Sequence, residues 1–178
     1  EYPSDDVEAF QHSGCSVFDK YKVELLKPSC RPPQLVGDVY GDGDSGKEAL
    51  QHVKLEADSQ GKFCVWELPE VFPDKRIANR YLTVVDVGGR SSKADFSVVV
   101  VFDRYWMMET DGKPCVVAQW YGHIDHDLLA WKAAQIAKLY NDSLLVIESN
   151  TLETKDRDRM VDGDQSVFIL NQIKNVYN

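Results

Sequence analysis

The chain has 178 residues, 43% hydrophobic and 28% charged, a composition that fits one globular domain or a domain with a sizeable extension. No run of eighteen apolar residues occurs, which excludes a membrane-spanning helix; the longest apolar run, Val98 to Phe102, is strand-sized. A formal net charge of −9 argues against a surface coated for nucleic acid, which carries a basic patch, but leaves room for a nuclease, because carboxylates that hold metal ions add negative charge.

Cys15, Cys30, Cys64 and Cys115 have no C-x-x-C spacing, so neither a zinc ribbon nor a disulfide framework is indicated, and reduced thiols are expected. His12, His52, His123 and His126 form no zinc-protease motif. The chain opens Glu1-Tyr-Pro-Ser4, with neither Met nor an apolar signal region, as expected of a piece cut from a longer protein or of a processed chain.

In chain order, Ser4 caps a predicted short helix with Asp5 and Asp6 in its first turn and Val7 and Phe10 on one face, ended by Ser13-Gly14. Val17 to Leu26 reads as a helix, broken by Pro28 and Pro32-Pro33. Leu35 to Tyr40 is a short strand. His52 to Ala57 and Lys62 to Glu67 flank Asp58-Ser-Gln-Gly61, which predicts a hairpin. Pro69 and Pro73 close an extension over 34–75.

The core then reads strand, strand, strand, helix, strand. The strands are Tyr81–Val87, Phe96–Phe102 and Pro114–Tyr121. Asp125 is the expected N-cap of a helix to Tyr140, with Leu129, Ala133, Ile136, Ala137 and Tyr140 on one face. Ser143 to Glu148 is a continuous apolar run, the pattern of an interior strand in a parallel arrangement. Ser166 to Tyr177 is a predicted last helix.

Two of these strands end on an acid: Tyr81-Leu-Thr-Val-Val-Asp86 and Leu144-Leu-Val-Ile-Glu148. Three antiparallel strands, a helix, and a strand parallel to the first form the opening of a ribonuclease H-like fold, an α/β mixed sheet. In that topology the first and fourth strands are neighbours, and the helix is long enough for the crossover. Asp86 and Glu148 are then expected side by side. Two adjacent carboxylates repel unless a proton or cation intervenes, and oxygen ligands select Mg2+ or Mn2+. Two such ions about 4 Å apart activate water and stabilise the leaving oxygen of a phosphodiester.

Three other patterns carry less. Gly41-Asp-Gly-Asp-Ser-Gly46-Lys47 matches seven positions of a P-loop, but Glu48 stands where Ser or Thr holds magnesium, and Asp42 and Asp44 repel phosphate. Asp42-Gly-Asp44 and Asp162-Gly-Asp164 lack the Gly and closing Glu of a calcium loop. Asp86-Val-Gly-Gly89 resembles the phosphate turn of actin-like sugar kinases, but Arg90 replaces their Thr or Ser. An actin-like phosphotransferase, and a non-catalytic DNA-docking module, remain the alternatives.

Residues 81–153 resemble the nuclease domain of a tailed-phage terminase large subunit. The resemblance lies in Val85-Asp86-Val-Gly-Gly-Arg90, Ala94-Asp95-Phe-Ser97, Ala118-Gln-Trp-Tyr-Gly122, Ala137-Lys-Leu-Tyr140-Asn141 and Leu145-Val-Ile-Glu148-Ser-Asn150-Thr151. The opening, with Tyr2-Pro-Ser4, Glu8-Ala-Phe10 and Val17-Phe-Asp19, is similar to the segment after that family's ATPase domain. The resemblance implies a linker over 1–33, the extension over 34–75 and a nuclease core over 76–178. It implies Asp86 as the central metal ligand, Glu148 as the second and Asp95 as a further acid of the site. Arg90, Lys93, Lys155, Arg157 and Arg159 are then phosphate contacts. The implied activity is metal-dependent cutting of concatemeric double-stranded DNA during packaging, in the bacterial host cytoplasm. Its partners would be an ATPase domain, a small terminase subunit and a portal. The family's third catalytic Asp, in a later helix, has no match among Asp156, Asp158, Asp162 and Asp164. A fragment with weak metal binding and poor cleavage is therefore expected.

Overall fold

A computed structural model describes residues 18–71, 77–88, 95–109, 112–148 and 171–177. The chain divides into two compact units, Glu1–Pro32 and Pro33–Asn178. In the first, helix α1 spans Lys20–Leu26, and the Asp19 side chain caps it by accepting from the Lys22 N–H at 3.2 Å. A 3-10 turn, Lys27–Ser29, follows with Pro28 in its opening turn, where the missing N–H costs nothing. The predicted helix near Ser4 lies outside the described residues.

The second unit is built on a seven-stranded mixed sheet. Its strands are β1 Leu35–Tyr40, β2 Lys54–Ala57, β3 Phe63–Val65, β4 Tyr81–Asp86, β5 Ser97–Asp103, β6 Cys115–Gly122 and β7 Leu144–Ile147. Among the described residues it carries helix α2, Tyr105–Glu109, helix α3, His126–Leu139, and helical residues at 171–173, within the predicted last helix. The spatial order is β2-β1-β3-β6-β5-β4-β7, antiparallel throughout except that β7 runs parallel to β4. The segment 34–75 thus continues the sheet of the core, through the pairing of β3 with β6. Among the described residues no helix is long and apolar enough to cross a membrane.

Register explains where the core lies. Ile147, Val85, Val99, Trp120, Phe63 and Gly37 follow one another across six neighbouring strands, and all are buried. Paired residues share a sheet face, so this row is apolar because α3 covers it. Leu129, Ala133, Ile136, Ala137 and Tyr140 are fully buried, as the helical spacing predicts. Asp125 has the extended N-cap backbone, but its side chain makes no capping hydrogen bond.

Two expectations are corrected. Strands β2 and β3 do not form a hairpin: each pairs with β1, on opposite edges. The connection passes across β1 at Gly37, which pairs with Ala57 on one side and Phe63 on the other. A methyl group at Gly61 would stand 2.6 Å from Gly37 Cα and overlap its carbonyl. Two glycines therefore allow one backbone to ride over another, which alternation within the strands does not reveal. The run over 143–148 was expected inside the sheet. Among the described residues β7 is its outermost strand, and Leu144 and Val146 are 46% and 43% exposed. An unbroken apolar run marks a strand apolar on both faces and is silent about which edges are paired.

At the end of the sheet where β4 begins, Arg80 is fixed. Its Nε donates to Asp103 Oδ1 at 2.9 Å and its other guanidinium nitrogens reach Asp103 Oδ2 at 2.6 Å and Glu70. Arg80 and Asp103 are 8% and 4% exposed. The fork geometry holds the guanidinium charge and pins the Tyr81–Asp103 end of the β4–β5 pairing.

Gly61→Ala should cost about 2–3 kcal/mol in urea unfolding, because the methyl group meets backbone that cannot turn away; an unchanged midpoint would contradict the crossing. Asp103→Ala should cost about 3–5 kcal/mol by leaving a buried guanidinium with only the partly exposed Glu70 carboxylate as its partner. Glu70→Ala, with its partly exposed carboxylate, should cost less than about 1 kcal/mol in the same measurement.

Candidate metal centre

The carboxyl ends of β4 and β7 meet at one end of the sheet. The ladder pairs Val85 with Ile147, and the Glu148 N–H donates to the Val85 carbonyl at 3.0 Å, one residue beyond the last paired position. Asp86 and Glu148 therefore follow their strands out of the sheet side by side. The connection that sets this register is well defined. Asn141 and Asp142 take left-handed φ values of 60° and 55°, the Ser143 N–H reaches back to the Ala137 carbonyl at 3.0 Å, and β7 starts at once. The buried Thr83 and Ser143 hydroxyls hydrogen-bond at 2.6 Å and tie the two strands at their other end.

The Asp86 and Glu148 carboxyls are close enough to act on one another. Burial first, then the Glu148 charge and hydrogen bond, and then the Asp95 charge, push the Asp86 pKa above the usual carboxylate range. Every one of these influences acts in the same direction.

Asp95 lies just before β5, near enough for Asp86 to feel its charge. Among the described residues no group of three or more His, Cys, Asp and Glu side chains is placed to hold an ion together. The close acids are thus Asp86 and Glu148, with Asp95 further out. Arg90, Lys93, Lys155, Arg157 and Arg159 lie outside the described residues, as do Asp156, Asp158, Asp162 and Asp164.

The sequence reading missed the groups that surround the acids. Gly88, two residues after Asp86, donates its N–H to Ser97 Oγ at 3.0 Å, and its carbonyl accepts from His126 Nε2 at 3.1 Å. A methyl group at Gly88 would overlap the backbone of Asp95 and Phe96. Beside Asp95, the Phe96 ring stands 4.4 Å from the His123 ring and 5.8 Å edge-on from Tyr121. The register row Asp86, Val98, Tyr121 puts that aromatic group on the sheet face of Asp86. The one sequence signal for Gly88 was the glycine pair after the strand; His126 gave none beyond its place after an N-cap.

The loop that mimics a P-loop is followed only by a three-residue 3-10 turn, Glu48–Leu50, so it has no helix N-terminus to meet a phosphate. Its Asp42 carboxylate binds His52 Nδ1 at 2.7 Å instead. Cys30, Cys64 and Cys115 are free thiols.

No protein-family model and no curated protein matches the chain.

Because the folded-state pKa of Asp86 is raised, the folded protein holds more protons than the unfolded chain between the ordinary carboxylate value and the raised one. Stability then falls as pH rises through that interval. Asp86→Asn should be more stable than the parent in urea at neutral pH, and the difference should close as pH drops below the ordinary carboxylate range. A difference that does not change with pH would show that repulsion is not its cause.

Proposed function

We propose that the chain is the nuclease portion of a terminase large subunit of the tailed-phage type, with a ribonuclease H-like core formed by β4, β5, β6, α3 and β7. The observation that carries this reading is the placement of Asp86 and Glu148 side by side at the tips of two parallel neighbouring strands. The strand order β6-β5-β4-β7, with the crossover through α3, supports the same reading. So does the position of the acids at the carboxyl ends of the strands, where open α/β sheets bind ligands.

Two carboxylates with water suit Mg2+, which is commonly held by one or two carboxylates together with substrate phosphates. Asp86 and Glu148 would hold the ion, and Asp95 would act from the outer shell. A bound ion supplies Lewis-acid polarisation of the phosphoryl oxygen and a water of lowered pKa. The side chains then have three tasks. Asp86 would present its carboxylate, beside that of Glu148, as a ligand. Glu148, fixed through its own N–H to Val85, sets the direction of approach. Asp95 adds negative charge that favours a second cation over a lone anion. The substrate would be double-stranded DNA, with an ATPase domain, small subunit and portal as partners in the packaging motor.

An actin-like phosphotransferase would need the glycine turn after Asp86 to receive phosphate. The Gly88 N–H is already bonded to Ser97, which counts against that alternative.

Manganese titration followed by electron paramagnetic resonance should detect binding that Asp86→Asn and Glu148→Gln each weaken by at least about tenfold. Relaxation of supercoiled plasmid in Mn2+, expected to be weak in the parent, should disappear in both variants. Manganese affinity unaffected by both substitutions would sink the reading.

A further inference from the structure

We propose that His126 is a positioning residue for the acidic site and acts through Gly88. The inference rests on the proposed metal-dependent function, but its structural part can be measured without any metal. Gly88 is gripped on both sides of its backbone. Ser97 Oγ takes its N–H at 3.0 Å and His126 Nε2 donates to its carbonyl at 3.1 Å. Its missing Cβ lets the chain before β5 lie against it at Asp95 and Phe96. Three segments thus converge on one residue: the turn leaving β4, which carries Asp86; the entry to β5, which carries Asp95; and the first turn of α3, which leads on to β7 and Glu148.

The donors and acceptors fit the burial. Ser97 is fully buried and His126 is 2% exposed. With the Gly88 carbonyl as the acceptor, Nε2 is the ring nitrogen that donates in this hydrogen bond. Phe or Leu would fill similar space at less desolvation cost, so packing alone gives no reason for an imidazole there. The imidazole donates to the Gly88 carbonyl, which neither Phe nor Leu can do. Partners that orient a ligand without touching the ion commonly change metal affinity by about ten- to a hundredfold when removed.

The test uses the whole chain with His126→Phe, which removes the donor, and His126→Gln, which restores an N–H at similar reach. Ser97→Ala removes the opposite grip and serves if His126→Phe does not fold. Amide hydrogen exchange at Gly88, read by NMR without metal, should be about tenfold faster in His126→Phe and in Ser97→Ala, and near the parent rate in His126→Gln. Manganese affinity should fall about tenfold or more in the first two and recover in the third. Equal impairment of the Phe and Gln variants, or unchanged Gly88 exchange in the Phe variant, would overturn the positioning role. Faster Gly88 exchange with unchanged manganese affinity would overturn it too, provided that Asp86→Asn abolishes binding. If Asp86→Asn leaves manganese affinity intact, the metal reading fails, and the exchange data alone decide whether His126 holds the turn.

Discussion

The parallel pairing of β4 with β7 is the constraint on which the rest depends. Strands β4, β5 and β6 follow one another antiparallel, so three consecutive segments could pair with short connections. A parallel neighbour for β4 cannot be made that way. The chain must cross the sheet first, and α3 is that crossing. The helix therefore has two tasks. Its buried face closes the core over the row that includes Val85, Val99 and Trp120, and its length brings the chain back to the starting edge of β4. The left-handed pair Asn141–Asp142 then lets β7 begin with no loop to spare. From that register, the neighbourhood of Asp86 and Glu148 follows without further choice.

The two ends of the sheet treat charge differently. Where β4 begins, Arg80 and Asp103 are paired, buried and bonded in a fork, a charge balanced within the protein. Hydrogen bonding to Asp103 keeps the guanidinium pKa well above its already high value. Where β4 ends, Asp86 meets Glu148 and feels Asp95, and each influence disfavours its ionised form. One strand thus joins a satisfied ion pair to a strained carboxylate. Stability favours the first arrangement. The second disfavours the ionised carboxylate in the fold.

Much of this was readable in the sequence, for physical reasons. Strand Leu35–Tyr40 and the helix after Asp125 stand within a residue of where alternation and the 3.6-residue period place them. Asp86 and Glu148 stood out because each ends an apolar strand, and the order of elements made them neighbours. What failed was pairing beyond adjacent segments. Alternation tells that Lys54–Ala57 and Phe63–Val65 are strands, but not that β1 lies between them; the close approach of Gly61 to Gly37 is a tertiary fact. The exposed edge of β7 was hidden for the same reason. Helix α2, at five residues, is too short to show a period. His126 was missed because a buried imidazole at a helix start looks, in sequence, like any polar residue of a first turn.

The way the acids are held has a chemical logic of its own. A carboxylate can be fixed by a salt bridge, but a lysine or arginine that neutralises it also competes with any metal for the same oxygen lone pairs. Here the turn after Asp86 is fixed through its main chain. A serine hydroxyl and an imidazole N–H grip the Gly88 peptide groups, and the glycine itself admits the neighbouring backbone. Those contacts are directional main-chain hydrogen bonds, so they restrict the turn that follows Asp86 without engaging its carboxylate. Rigidity supplied by the backbone and electrostatic strain kept on the side chains are compatible in a way that direct ion pairing would not be.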